Sequence, residues 1–152
     1  MPKINVAGLS FVSRSSYPSP YDKLVEGRSR KVLGDEVGLT QFGVNLSMLP
    51  PGTASSLRHW HENQDEFVFV VEGELTLIDD GGDTVLRPGD AAAFKAGVVN
   101  GHQLGNRSTS NAIYLEIGTR TLHERAHFSD FDLVAVADEA GVRYTRRDGT
   151  PL

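Results

Sequence analysis

At 152 residues the chain has the length of one ordinary domain, enough to bury a real core and too little for two comfortable ones. Its net charge is -5, and its 15 Lys and Arg are scattered except for Arg28-Ser29-Arg30-Lys31 and Arg146-Arg147, so no basic face for nucleic acid emerges. Cysteine is absent, which excludes disulfides, thiolate nucleophiles and sulfur-ligated zinc or iron–sulfur centres; any metal must be held by nitrogen and oxygen.

In chain order, residues 1–39 are mixed in character, and the Ser- and Pro-rich stretch from Ser13 to Pro20 predicts an extended or irregular arm. No apolar stretch after Met1 is long enough for a signal peptide, and no run approaches the roughly 18 apolar residues of a membrane span. A soluble, cytoplasmic protein with no membrane partner is the expectation. From Thr40 the pattern changes: Thr40, Phe42, Val44, Leu46 and Met48 alternate with Gln41, Gly43, Asn45 and Ser47, the period of a half-buried strand, which Pro50-Pro51-Gly52 ends.

The next segment carries the most chemistry. In a strand, residues two apart share a face, so His59 and His61 present two imidazoles side by side, about 6.6 Å apart along the backbone. Glu62 to Asp65 are polar and turn-prone, and Glu66 opens an aromatic and β-branched run, so a hairpin returns that carboxylate to the histidines. Two neutral imidazoles and a carboxylate make a ligand set for a divalent metal. Asp65 is the rival to Glu66, but Glu66 is in phase with Val68 and Val70 on the inward aliphatic face, whereas Asp65 faces the turn. Trp60 and Arg58 fall in the opposite phase and read as packing and outer ion-pair residues.

Beyond Glu72-Gly73-Glu74, short strands follow at Leu75–Ile78, Thr84–Leu86, Ala91–Phe94 and Ala112–Gly118, separated by turns at Asp79–Asp83, Arg87–Asp90 and Lys95–Gly97. Such spacing predicts a sandwich or closed barrel rather than βαβ units. In the last of these strands Tyr114 and Glu116 share one face and Ile113, Leu115 and Ile117 the other; either set can line the interior, and an acid/base role for Tyr114 or Glu116 depends on which. In the tail, Leu122–Phe128 and Leu133–Ala140 each fit a helical turn or a strand. His123 and His127 would share a helix face, although no carboxylate is clearly placed with them.

These motifs resemble the cupins, the family of small double-stranded β-helix barrels. The family's first motif is matched by Gly52, His59, His61, Glu66 and Gly73, with one extra residue between Gly52 and His59. Its second motif is matched from Gly89 to His102, with Lys95 where the family has Pro and Asn100 where its His falls. His102 comes two residues later, a shift that keeps strand phase, so the resemblance makes it the fourth ligand. The wording Arg58-His59-Trp60-His61, Asp65-Glu66-Phe67-Val68 and Gly101-His102-Gln103-Leu104 further resembles single-domain bacterial cupins of unassigned function.

The resemblance implies an all-β, double-stranded β-helix (jelly-roll) fold: one cupin domain with an N-terminal arm or outer strands (1–39), a barrel core (40–118) and a short C-terminal extension (119–152). It implies one divalent transition metal (Fe, Mn, Ni, Zn or Cu) on His59, His61, Glu66 and His102, with open positions for a small oxygen-bearing substrate. Two functions follow. One is a mononuclear metalloenzyme, a dioxygenase or a metal-assisted isomerase, lyase or hydrolase; the other is a non-catalytic module that binds or senses a small molecule. Catalytic residues beyond the ligands are not identified. Phe42, Met48, Phe69, Phe94 and Leu104 are expected in a pocket wall or the core, and Gln41, Asn45, Asn100 and Gln103 either orient a polar ligand or face solvent. Like many relatives, the chain is expected to form a homodimer through the arm or an outer sheet.

Overall fold

Turns built on glycine, proline and aspartate cut the chain into short strands, and the pairing of these strands is what positions the candidate site. The computed structural model describes residues 3–152. Its strands are β1 (Ser29–Val32), β2 (Phe42–Leu49), β3 (His59–His61), β4 (Glu66–Glu72), β5 (Leu75–Asp79), β6 (Gly82–Leu86), β7 (Ala91–Phe94), β8 (Gln103–Gly105), β9 (Ala112–Thr119), β10 (Glu124–Phe128), β11 (Val134–Asp138) and β12 (Gly141–Thr145), with an α-helical turn, α1 (Leu33–Glu36), and 3-10 turns at Val6–Gly8 and Tyr21–Val25. Among the described residues no helix is long and apolar enough to cross a membrane.

One layer is a five-stranded sheet in the order β1-β2-β9-β4-β7. Facing it are a four-stranded sheet, β12-β11-β10-β3, and a three-stranded sheet, β6-β5-β8. The last two are joined by an isolated antiparallel bridge between His59 and His102, whose backbones exchange hydrogen bonds of 3.1 and 2.9 Å. Every named pairing is antiparallel. The fold is therefore the all-β, antiparallel jelly roll expected from the sequence.

The main core lies between the layers and contains Leu49, Val68, Val70, Leu75, Leu86, Leu104, Ala112 and Tyr114. A second cluster, Leu57, Ala126, Phe128 and Leu133, is covered by Tyr17, Tyr21, Phe131 and Tyr144, so the N-terminal segment and the tail pack on each other beneath β3. Gly73 ends β4 at φ 78, and a Cβ there would lie 2.6 Å from the Asn111 carbonyl oxygen and 2.8 Å from Ala112 Cα. The closing glycine of the first motif thus lets the β4–β5 turn lie against the start of β9.

Two segments take one of the forms the sequence left open. The tail is strand over Glu124–Phe128: β10 pairs with β3, setting Phe128 opposite His59 and Ala126 opposite His61. Residues 29–32, within the stretch expected to be an arm or outer strands, form an edge strand on β2. Both pairings bring distant sequence to the site.

Candidate metal centre and its cavity

Strand alternation sorts the residues of β3. His59 and His61 face inward, while Trp60 takes the other face and stacks on His127 of β10, with ring centroids 4.4 Å apart. Arg58 forms ion pairs with Asp80 at 2.7 Å and Asp130 at 3.0 Å, the outer role expected for it. His102 faces His59 across the bridge, and its ring stacks flat on Phe94 with centroids 3.5 Å apart. Asp65 is exposed and accepts the Ala96 N–H at 2.7 Å, whereas Glu66 turns inward.

Glu66 sits where the three imidazoles converge. Its Oε1 lies 3.6 Å from His59 Nε2 and 3.4 Å from His61 Nε2, and its Oε2 lies 2.6 Å from His102 Nε2. The ligating atoms of His59, His61 and Glu66 all lie within 4.8 Å of one another; His102 joins that triad through the second carboxylate oxygen.

Each ring is aimed through its other nitrogen. His59 Nδ1 is 2.8 Å from the Leu57 carbonyl oxygen and His102 Nδ1 is 3.3 Å from that of Asn100. A proton on Nδ1, donated to those carbonyls, leaves the Nε2 lone pair pointing at the centre. His61 Nδ1 is buried without a hydrogen bond, 3.9 Å from the Glu124 carboxylate. Glu124 is itself fixed by the backbone N–H groups of Glu62, Asn63 and Arg125.

This donor set fits a divalent ion. Metal–ligand bonds of about 2.0–2.2 Å require nitrogen and oxygen donors a few ångström apart around one point, and small side-chain adjustments bring these atoms to it. Burial disfavours charge on Glu66, but hydrogen bonds from His102, His59 and His61, together with the charge on His59, hold its carboxyl well below the usual value. Burial likewise disfavours protonated His59. The hydrogen bond and charge of Glu66 and the Leu57 carbonyl outweigh that effect and raise its pKa, with Arg28 acting the other way.

The centre opens into a cavity of ≈ 330 Å³ bounded by His59, Glu66 and His102 on one side and by Tyr17, Arg28, Arg30, Asn45, Tyr114 and Glu116 on the other. Sheet register explains the polar wall. Glu66 pairs with Gly118, which pairs with Gly43, so no side chain stands beside the carboxylate on the β9 and β2 side of that row, while Phe94 of β7 flanks it on the other. In the next row Val68, Glu116 and Asn45 are aligned, and beyond it Val70, Tyr114, Ser47 and Arg30. Glu116 accepts hydrogen bonds from Asn45 Nδ2 at 3.0 Å and Tyr114 OH at 3.5 Å, and pairs with Arg30 at 3.2 Å.

Of the two faces of β9, then, Tyr114 and Glu116 line the interior. In β2 the polar set Gly43, Asn45 and Ser47 is inward, and Phe42, Val44, Leu46 and Met48 are on the outer face. Phe94, Leu104 and Gln103 line the cavity, whereas Phe42 and Phe69 are 39% and 37% exposed on the other side of the sheet. Gln41 is exposed, and Asn100 ties Asp79 and Asp80 to its own loop by hydrogen bonds of 3.2 and 2.9 Å. His123 and His127 are engaged separately, with Glu139 at 3.0 Å and Glu62 at 2.7 Å. Tyr17, Arg28 and Arg30 were not singled out as site residues by the sequence; the available signal was the two-residue spacing of Arg28 and Arg30, the same spacing as the His-x-His pair.

A jelly-roll barrel with a His, His and Glu cluster at its mouth defines a class, and comparison with known proteins agrees. The family model described as "Cupin domain" matches residues 45–118. A sugar phosphate isomerase of the cupin superfamily from Silicibacter pomeroyi DSS-3 is 49% identical over 99% of this chain and 96% of its own, with a TM-score of 0.96. The chain belongs to the cupin superfamily. A protein from Acidithiobacillus ferrooxidans ATCC 23270 is 26% identical over 82% of this chain and 80% of its own, with a TM-score of 0.76. The polyketide cyclase RemF from Streptomyces resistomycificus shares the fold at 16% identity, over 78% of this chain and 79% of its own, with a TM-score of 0.64. No curated protein matches the chain.

Proposed function

We propose that this protein is a divalent-metal-dependent enzyme whose ion is held by His59, His61, Glu66 and His102, and that it isomerises a sugar phosphate. The observation that carries the reading is the convergence of three imidazole Nε2 atoms on one carboxylate at the edge of a polar cavity. The narrower choice, isomerisation of a sugar phosphate among the reactions a cupin centre allows, rests on likeness to the Silicibacter protein. When bound, a divalent ion would polarise the substrate's carbonyl and hydroxyl oxygens.

Moving a proton between neighbouring carbons also needs a base. Among the residues lining the cavity, the guanidinium groups offer no acceptor for a proton, and burial raises Tyr17 to about 12 and Tyr114 further. Glu116 is therefore the carboxylate outside the metal cluster suited to that role, oriented by Asn45 and Arg30. The same two partners, together with Tyr114, support a second reading, in which Glu116 only shapes a non-catalytic binding pocket. Tight retention of a sugar phosphate without turnover would favour it.

Elemental analysis of untagged protein should find a transition metal. Isomerase activity should fall on chelation, return with metal and be lost in His59→Ala. Protein that holds no transition metal under any condition would sink the proposal. As part of the same reading, residues 1–152 form one domain that pairs as a homodimer.

A further inference from the structure

Arg28 and Arg30 are two residues apart and both reach the cavity, Arg30 from β1 and Arg28 from the residues just before it. Their surroundings differ. Arg30 is neutralised by Glu116 at 3.2 Å. Arg28 donates from Nη1 to the Ser55 carbonyl oxygen and lies over the Tyr17 ring, 5.6 Å from its centroid, but among the described residues it has no carboxylate partner. Its Nε is buried and has no hydrogen-bond acceptor. A guanidinium that gives up water without gaining an anion is costly to keep, unless a ligand supplies the missing acceptor. Burial and the like charge of Arg30 both act against the charge on Arg28, and an anion between the two would relieve that strain.

We propose that Arg28 and Arg30 form the phosphate subsite of the cavity, taking the phosphoryl group of a sugar phosphate whose other end reaches the His59, Glu66 and His102 side. The inference rests on the metal-dependent reading above and adds the direction in which the substrate lies. Arg30 lies two rows along and three strands across from Glu66, about 14 Å in each direction between backbones before the reach of the two side chains is subtracted. That span suits a phosphorylated small sugar rather than a two-carbon acid. Two guanidinium forks also match the several oxygens of a tetrahedral dianion better than the single edge of a carboxylate.

The test is calorimetric titration of the full-length protein with inorganic phosphate, before and after chelation, alongside acetate. Wild type should bind phosphate in both states, because the subsite does not depend on the ion, and should bind acetate far more weakly. Arg28→Met, which keeps the aliphatic stem, should weaken phosphate binding by about 10- to 100-fold while metal content by elemental analysis is unchanged. Arg28→Lys keeps the charge but loses the fork, and should fall between the two. If Arg28→Met does not fold, the wild-type and lysine titrations still decide.

Absence of phosphate binding by wild type, equal binding by either variant, or acetate binding as tight as phosphate would overturn the inference. Protein that retains metal but does not bind phosphate sinks this proposal alone. Arg28-dependent phosphate binding by protein that never holds metal sinks the metal reading and leaves the subsite standing.

Discussion

Glu66→Gln is the most direct perturbation of the candidate metal centre, since it keeps the side chain's shape and removes only the charge on which three imidazoles converge. Without metal the substitution already weakens the site: the 2.6 Å contact to His102 and the 3.4 and 3.6 Å contacts to His61 and His59 lose their ionic acceptor. The informative quantity is therefore the difference between melting with and without metal, compared across the two proteins. Loss of an outer partner of a metal ligand costs about 10- to 100-fold in affinity, so loss of the anionic ligand itself should cost no less than about 100-fold. At a metal concentration far above the wild-type dissociation constant, that factor removes ~2.7 kcal/mol of metal-linked stability. For a chain of this size it corresponds to about 5–11 °C of melting temperature. The assay is thermal unfolding of both proteins in chelator and then in a series of Mn(II), Ni(II), Zn(II) and anaerobic Fe(II). If the metal-induced rise in Glu66→Gln equals that of wild type for every ion, Glu66 is not a ligand and the centre has been misread.

Two further predictions concern the surroundings of the site. Burial pushes the Tyr17 phenol up to about 12, against the lowering effects of Arg28 and the Leu57 N–H. A folded pKa above the unfolded value of 10.0 makes this contribution fully present below pH 10 and lost as pH rises through about 12, roughly 3 kcal/mol in all. Denaturant midpoints measured from pH 9 upward should therefore fall less steeply for Tyr17→Phe than for wild type, with a residual slope from buried Tyr114; parallel curves would refute the assignment. On the outer face of β4, Phe67, Phe69 and Val71 are 40%, 37% and 47% exposed beside Leu115 and Ile117 of β9, the apolar face on which we expect a second copy to pair. Light scattering should give a dimer for wild type and a monomer for Phe69→Asp, and a monomeric wild type at micromolar concentration would contradict the proposed pairing.

The parts of the site that were legible in the sequence are the parts fixed by local geometry. His59 and His61 follow from a period of two, but the hairpin expected to return Glu66 to them does not form: β3 pairs with β10 and β4 with β7 and β9, so the carboxylate meets the imidazoles from a different sheet. His102 required the family resemblance, because its place opposite His59 comes from a bridge between segments more than forty residues apart. The tail could not be resolved between helix and strand for a similar reason: Glu124–Phe128 is extended because β3 and β11 lie on either side of it, and its local pattern carries no trace of those neighbours.

Strand phase in β2 and β9 shows a different limit. Alternation separates two faces, but burial alone does not say which one encloses the cavity. Here the apolar face of β2, Phe42, Val44, Leu46 and Met48, lies outward, and the polar face points in. A barrel that only had to be stable would place the two the other way round. Inward Asn45, Ser47 and Glu116, with Arg30 joined to them, make sense only if polar groups inside the barrel find partners, and most do: Asn45 and Arg30 meet on Glu116. Among the described residues, buried Arg28 Nε and Ser47 Oγ are left without a hydrogen-bond partner. The inward polar face of β2 and the unmet guanidinium both fit the ligand bearing negative charge proposed above, and the outward apolar face fits the proposed pairing with a second subunit.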